Sequence, residues 1–483
     1  MQNRLPQFPF SEGPRDYQKK ALDAWINNKH QGFFAMATGT GKTITSLNCL
    51  LHLYQEEDSY KCLILVPTMA LVEQWRRECS KFGFRNIIKI SSKEKGWKDA
   101  IMRVVTNSYF NEKKLSYVII ATYASFAKPE TSSRLQELPS STLLIADEAH
   151  NMGSPLMIKA MKKVIFQRRI GLSATPYRQF DMIGNKSINN FFGIKDGYTF
   201  EYSMAEAIKN GVLSKYRYFP HIVNLNADEM EQYLVLSKQI AKFFHADTNT
   251  FDDDPILTAL LLKRKRIIHK AVNKLVKFKE IINDLYKDKG SLKYTMVYAP
   301  EGVCPDESYY TVIDDRDEID EISEDTPLID LYTMLVAETD KYTTVEQFTS
   351  RETDRDRILQ DFANGITEVL VAMKCLDEGV DVPRAENAIF CASTGNPRQF
   401  IQRRGRILRT HDEKPMAYIH DLVVVPYVDY DTESFKMERS LLKRELQRVS
   451  DFAQLASNSS YTENVLQDII EYYELNLYEH EQD

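Results

Sequence analysis

The chain reads as an α/β protein of two parallel-sheet lobes, with a helical connecting segment between them and a C-terminal helical extension. Three observations predict this. Short apolar runs rich in β-branched residues recur along the chain, each followed by turn residues and a helical pattern. Continuous runs of this kind mark strands covered on both faces, as parallel sheets flanked by helices require. The runs also form two sets with a long stretch of helical periodicity between them, in a chain of 483 residues that exceeds one ordinary domain.

In the first set the strands begin at Gly32 (GFFAMAT), Cys62 (CLILVPT), Asn86 (NIIKIS), Tyr117 (YVIIATY), Thr142 (TLLIADEA) and Arg168 (RRIGLSAT). In the second they begin at Tyr294 (YTMVYAP), Tyr342 (YTTVEQF), Glu368 (EVLVAMK), Glu386 (ENAIFCAS) and Met416 (MAYIHDLVVV). Residues 1–202 are therefore expected to form the first lobe and 203–290 a helical, basic connector. Residues 291–425 are expected to form the second lobe, with an acidic insertion at 306–340, and 426–483 the extension. In the connector, ADEMEQYLVLSKQIAKFF and ILTALLLKRKRIIHKAVNKLVKFKEIINDLY carry apolar residues three and four apart, predicting two long helices. The stretch from Ser434 to Ala456 predicts another.

The composition, 43% hydrophobic and 27% charged, excludes collagen-like, mucin-like and wholly disordered chains. No apolar run approaches the roughly 20 residues of a membrane helix, and the N-terminus shows no secretory h-region, so the expected location is the cytoplasm, away from any membrane. Six scattered cysteines without a C-x-x-C pair read as buried thiols rather than disulfides or a zinc site. A metal, if bound, is expected on oxygen ligands.

The net charge of −7 argues at first against a nucleic-acid partner. Charge acts locally, however, within about 8–10 Å at physiological salt. Asp306 to Asp330 holds eleven acids against Arg316 alone, and Glu463 to Asp483 holds seven acids and no Lys or Arg. Setting aside these nets of −10 and −7 leaves the body near +10. The acidic strip reads as a surface insertion, either a solubilising or docking loop or a nucleic-acid mimic. Lys263 to Lys289 carries ten basic residues against three acids, which suits either a phosphate-tracking face or a solvated helix.

After the first strand comes Met36-Ala37-Thr38-Gly39-Thr40-Gly41-Lys42-Thr43, leading into a helical run. Small residues there let backbone N–H groups close around phosphate oxygens at a helix N-terminus. Lys42 is then placed for the β- and γ-phosphates of ATP and Thr43 for Mg²⁺. The strict pattern has Gly at the position of Met36. A later strand ends in Asp147-Glu148-Ala149-His150, at the strand end that faces the ligand crevice of a parallel sheet. Asp147 suits a Mg²⁺ ligand and Glu148 a base for the attacking water. Arg406 and Arg409 lie three apart on a predicted helix and share a face, as cations that stabilise a transferring phosphoryl group.

With these residues in this order, the chain from Arg15 to Asp421 resembles a superfamily 2 helicase or translocase of the DEAD/DEAH type. The resemblance implies two RecA-like lobes with ATP and Mg²⁺ as cofactors. It assigns Gln18 in RDYQKKAL to adenine, and Thr38, Gly39, Thr40 and Gly41 with Lys42 and Thr43 to the phosphates. VPTMALVEQW, Val66 to Trp75, and ATYASF, Ala121 to Phe126, resemble strand-contacting motifs, with Pro67, Thr68, Thr122 and Ser125 at the nucleic-acid positions. Ser173, Ala174 and Thr175 match the motif that couples ATP state to nucleic-acid grip. VYAP, Val297 to Pro300, and LDEGVDVP, Leu376 to Pro383, match second-lobe motifs, Gly379 allowing close approach and Asp381 contacting ribose. In QRRGRILR, Gln402 is expected to polarise water or the γ-phosphate, and Arg406 and Arg409 to act as arginine fingers.

His150 and the ILR ending of the last motif resemble repair helicases and the motor subunits of type I and III restriction systems more than RNA-remodelling proteins. The expected activity is thus ATP-dependent movement on, or unwinding of, DNA in defence against phage or in DNA repair. Its substrate would be single-stranded DNA or a duplex with a single-stranded tail, and a nuclease or targeting subunit is a possible partner. An RNA helicase is the alternative with the same chemistry, and a nucleotide-gated DNA-binding scaffold without turnover the alternative of another class.

Overall fold

The computed structural model describes residues 5–91, 94, 96–178, 181–195, 197–245, 250–252, 254–303, 327–349, 352, 354–373, 382, 384–392, 397–432 and 434–475. The chain divides into two compact units, Met1–Leu213 and Ser214–Asp483.

In the first unit, β1 (Gln31–Met36), β2 (Lys61–Val66), β3 (Ile87–Ile90), β4 (Tyr117–Thr122), β5 (Leu143–Asp147), β6 (Arg168–Ser173) and β7 (Phe200–Tyr202) form one sheet. Their order is β3-β4-β2-β5-β6-β1-β7, and each neighbouring pair is parallel. Every residue of β2, β4 and β5 is buried, which explains why they read as continuous apolar runs rather than alternating ones. Phe33, Leu63, Leu65, Ile119, Ala121, Leu144 and Ala146 share one core cluster. Because all these strands run the same way, the loops after β1, β2, β4, β5 and β6 leave from one edge. That edge carries every first-unit motif except RDYQ.

The second unit has β8 (Tyr216–Val223), a small antiparallel pair of β9 (Phe244–His245) and β10 (Thr250–Phe251), then β11 (Thr295–Tyr298), β12 (Val345–Phe348), β13 (Val369–Ala372), β14 (Asn387–Phe390) and β15 (Ala417–Val424). Six of them make a parallel sheet in the order β12-β13-β11-β14-β15-β8. Val297, Val369, Val371, Ile389 and Leu422 pack there with Leu275, Phe278 and Ile281 of the helix Asn273–Lys289. The architecture is two parallel-sheet α/β units of the RecA-like kind with helical segments, as the strand pattern requires.

Three local features differ from the sequence reading. The stretch 203–290 is not wholly helical, because β8 lies inside it and forms the edge of the second sheet. Its sequence YRYFPHIV hides this: Arg217 and Pro220 interrupt the apolar run, and a Pro is tolerated only at an edge or bulge. The single long helix expected from Ile256 to Tyr286 is broken into Pro255–His269 and Asn273–Lys289. Glu229 accounts for the break, since its Oε1 accepts the Val272 N–H at 2.9 Å and draws that amide out of the helical ladder. Two of the ten basic residues are buried: Arg264 pairs with Glu438 and Tyr233, and Lys274 is wholly enclosed. The face left for a phosphate backbone is smaller than the sequence count.

The third difference is in the last motif. Its helix is Pro397–Ile407, so Arg406 lies on it and Arg409 beyond it. The chain is drawn off the helix by competing donors: Ser214 N–H bonds the Leu408 carbonyl at 2.7 Å, and Ser214 Oγ and Lys414 Nζ bond the Arg409 carbonyl at 3.3 and 3.0 Å. Lys414 Nζ also bonds the Ile407 carbonyl, a donor for one of the carbonyls left open at the C-terminal end of the helix.

The extension packs back on the second unit through the helices Phe435–Gln454 and Ser459–Tyr472. Tyr473 fixes the end, its hydroxyl donating to the Pro426 carbonyl at 2.6 Å and accepting the Val428 N–H at 3.0 Å. Inside the unit, Arg448 bonds the buried carboxylate of Asp421, which also accepts the Tyr218 hydroxyl at 2.7 Å. The guanidinium of Arg448 lies 3.9 Å from the ring centre of Phe400, on the last-motif helix, and bonds Glu445 at 2.9 Å. Most of the acidic strip, with Gly379, Asp381, Leu477 and Tyr478, lies outside the described residues. Among the described residues no helix is long and apolar enough to cross a membrane.

Candidate nucleotide site

The phosphate loop joins β1 to the helix Lys42–Glu57. Gly41, at its N-cap, has φ +79°, a left-handed conformation that glycine adopts without strain. Gly39 has φ +86°. Thr40 is buried and its hydroxyl donates to the Ala37 carbonyl at 2.7 Å, while Tyr17 donates to the Thr40 carbonyl at 2.6 Å. Met36 is fully buried, so the departure from glycine is absorbed by the core and only its carbonyl faces the loop. That carbonyl accepts from Lys42 Nζ at 3.3 Å. Thr38 Oγ1 is buried with no hydrogen-bond partner among the described residues, a polar atom that an oxyanion would satisfy.

Gln18 is buried beside this loop, and its Oε1 accepts the Arg15 N–H at 2.9 Å. Tyr17 stacks on Tyr202 at 4.2 Å with planes 6° apart, and burial raises its hydroxyl above the ordinary range. Sequence reasoning chose Gln18 and passed over this pair, because Tyr202 is brought in by a three-residue edge strand with no pattern of its own.

β5 delivers Asp147 and Glu148 to the same edge. Asp147 is buried, its Oδ1 accepting the Glu148 N–H at 3.0 Å and its Oδ2 the Trp75 indole N–H at 2.9 Å. Burial pushes its carboxyl up to about 6 and the Glu148 charge adds to the rise, while the Trp75 hydrogen bond and the Lys42 charge oppose it. A buried carboxylate in this position is stabilised by a cation, and Mg²⁺ prefers oxygen ligands. Asp147 and the half-buried Thr43 therefore fit the ion by chemistry.

Glu148 has φ +47° and ψ +54°, a left-handed conformation that costs a non-glycine residue roughly 1–2 kcal/mol. Such strain concentrates where a side chain must be aimed. The carboxylate is only 13% exposed. Its Oε2 accepts from Ser173 Oγ at 3.3 Å and lies 3.4 Å from His150 Nδ1, and Ser173 Oγ also accepts the Thr175 N–H at 3.1 Å. Ala174 spans the two. Arg178 locks the turn from outside, donating to the His150 carbonyl at 2.7 Å and pairing with Asp181 at 2.6 Å.

The positions expected to meet nucleic acid sit on the neighbouring strands of the same edge. Val66 at the end of β2 is in register with Thr122 at the end of β4. Thr68 N-caps the helix Met69–Lys81 with extended backbone but no side-chain cap bond, and its Oγ1 is buried without a partner among the described residues. Thr122 Oγ1 instead accepts the Ser125 N–H at 3.2 Å and meets Ser125 Oγ at 3.0 Å, so these two hydroxyls already serve a local helix cap. Pro67 leads from β2 into the Thr68 cap. In the second unit Arg406 is buried, and Gln402 and Arg409 are half-buried.

Comparison with known proteins places these motifs in a family. Residues 11–178 match the family model described as type III restriction enzyme, res subunit, and residues 326–411 match the helicase conserved C-terminal domain. The DNA 3'-5' translocase XPB2 of Sulfurisphaera tokodaii is 28% identical over 433 residues, 86% of this chain and 82% of that protein. The putative ATP-dependent helicase IRC3 of Saccharomyces cerevisiae is 24% identical, over 85% of this chain and 51% of its own. The chain thus spans most of the first relative and about half of the second. The helicase domain of Hef from Pyrococcus furiosus aligns over 87% of this chain and 97% of its own, with a TM-score of 0.52 and 16% identity. A type ISP restriction-modification enzyme, LlaBIII, bound to DNA aligns over 97% of this chain and 33% of its own, with a TM-score of 0.58 and 16% identity. The chain belongs to the superfamily 2 helicase family, related to its repair and restriction motors.

Proposed function

We propose that this protein is an ATP-dependent DNA translocase or helicase. The observation that carries the reading is the convergence of Lys42, Asp147, Glu148 and Ser173 at the C-terminal ends of three adjacent strands, β1, β5 and β6. A scaffold that merely binds nucleotide has no need of a strained, enclosed carboxylate aimed into the site. The restriction enzyme bound to DNA and the DNA 3'-5' translocase of Sulfurisphaera tokodaii favour DNA, moving 3' to 5', over RNA.

In this reading the backbone amides from Thr38 to Thr43 bind the phosphates and Lys42 neutralises the β- and γ-oxygens. Mg²⁺, held by Thr43 and Asp147, would supply further neutralisation of phosphate charge. Glu148 orients a water and takes its proton as the water oxygen bonds the γ-phosphorus and the bond to the β–γ bridging oxygen breaks. Ser173 keeps the Glu148 carboxylate in place. Gln402, Arg406 and Arg409 are assigned to transition-state charge, and Gly379 and Asp381 to the ribose. The partner would be a nuclease or targeting subunit, in defence or repair.

Glu148→Gln is expected to bind ATP as tightly as the parent while turnover falls about 10²–10⁴-fold, the range for removing a general base. Single-stranded DNA is expected to stimulate the parent ATPase above duplex DNA and RNA. Normal hydrolysis by Glu148→Gln removes the base assignment, and stimulation by RNA alone removes the DNA assignment.

A further inference from the structure

We propose that Trp75 and Tyr123 are positioning residues that tie the grip on nucleic acid to the state of the nucleotide, through two hydrogen bonds to the residue Asp147. The inference rests on the function proposed above. Its geometry is independent of that reading.

Asp147 is held twice, by residues on the helices that follow β2 and β4. Trp75 Nε1 donates to its carboxylate at 2.9 Å, and Tyr123 Oη donates to its backbone carbonyl at 2.6 Å. Both aromatic residues are buried, at 1% and 7% exposure. Indole has one N–H and phenol one O–H to place, so each ring orients itself on this acceptor. Trp75 belongs to the helix Met69–Lys81, which Thr68 caps. Tyr123 opens the helix Tyr123–Phe126, which Thr122 caps. The two caps lie side by side at the ends of β2 and β4. A helix moves nearly as a rigid rod, and Trp75 lies seven residues, about 10 Å, along the axis from Thr68.

A shift of Asp147 when its carboxylate takes a cation therefore draws on Trp75 and re-aims Thr68, while its backbone carbonyl draws on Tyr123 and re-aims Thr122. The Thr68 hydroxyl, which has no partner among the described residues, is the atom this motion would present to a phosphate. Ser173, on the other side of β5, touches Glu148 rather than Asp147. The link through the two aromatics is thus a second connection, separate from the Ser173-Ala174-Thr175 segment.

Coupling between two ligands is reciprocal and is measured as a ratio of affinities. The Kd of a fluorescent single-stranded DNA oligonucleotide is measured by anisotropy on the full chain, without nucleotide and with saturating Mg²⁺ and a non-hydrolysable ATP analogue. The parent ratio is expected to lie in the typical range of about 5–150-fold. Trp75→Phe and Tyr123→Phe each keep the ring and delete the donor, and each is expected to bring the ratio most of the way to one. A merely structural role would weaken both affinities in parallel and leave the ratio unchanged. Should one variant fail to fold, the other reads the same ratio. A coupled parent with equally coupled variants overturns the inference alone; a parent that binds no DNA in either state overturns the proposed function and the inference with it.

Discussion

Replacing Arg448 by Met should unfold the second unit well before the first. Arg448 is 8% exposed and Asp421 1%, so the pair is shielded from salt and solvent. Arg448 meets Asp421, Glu445 and the face of Phe400. Met fills much of the space but leaves the Asp421 carboxylate buried with the Tyr218 hydroxyl as its hydrogen-bond partner. Removing one member of a buried pair costs about 3–5 kcal/mol, because the other charge stays uncompensated. At about 2–4 °C per kcal/mol for a unit of this size, the midpoint should fall by about 10 °C. The double variant Asp421→Asn, Arg448→Met removes both charges and keeps an acceptor for Tyr218. It should recover at least half of the loss, since replacing a whole buried pair is often close to neutral. Thermal unfolding followed by near-UV circular dichroism reads this, with the first unit's transition identified by its rise on adding the ATP analogue. A loss under about 1 kcal/mol for Arg448→Met, or a double variant equal to the sum of the singles, would refute the argument.

Two further outcomes concern the phosphate loop and the last motif. Gly41→Ala places a Cβ on a residue at φ +79°, 3.4 Å from Gln18 Nε2. It should destabilise the first unit by roughly 1–2 kcal/mol, the left-handed strain for a residue other than glycine, read as a lower unfolding midpoint in the absence of nucleotide. Burial lowers Lys414 to about 7 and Lys274 to about 8, below the ordinary lysine value. Between these values and about 10 the unfolded chain holds more protons than the folded one, so stability rises with pH there. Urea midpoints at pH 7, 8 and 9 should climb in the parent, and Lys414→Met should remove its share of the climb; a flat parent profile counts against both assignments.

The sheets were legible because buried parallel strands advertise themselves as apolar runs, unbroken in β2, β4 and β5 and interrupted in β3 and β12, and eleven strands lie where such runs were read. β7 and β8 are invisible for a reason of place. Both are edge strands, so β7 can be three residues long and β8 can carry Pro220. Glu148 and Lys42 were legible because their spacing from a strand end is local. Trp75 and Tyr123 lay within motifs already picked out, yet their role depends on acceptors 72 and 24 residues away. Only strand order brings these together. Arg409 was placed on a helix by its spacing, and the carbonyl partners Ser214 and Lys414, which no local pattern reveals, take it off.

The strand order of the second unit also bears on how the chain is made. β8 is the first strand of that unit to leave the ribosome, and it pairs with β15, about 200 residues later. Until Val424 has been synthesised, β8 has no neighbour in its sheet, and a loop of that span must close before the pair forms. The first unit is complete by Leu213 and can fold while the rest is still being translated. Truncations that stop short of β15 should therefore yield a folded first unit trailing a sticky, protease-sensitive remainder, and the helical extension that follows acts as the last seal on the product.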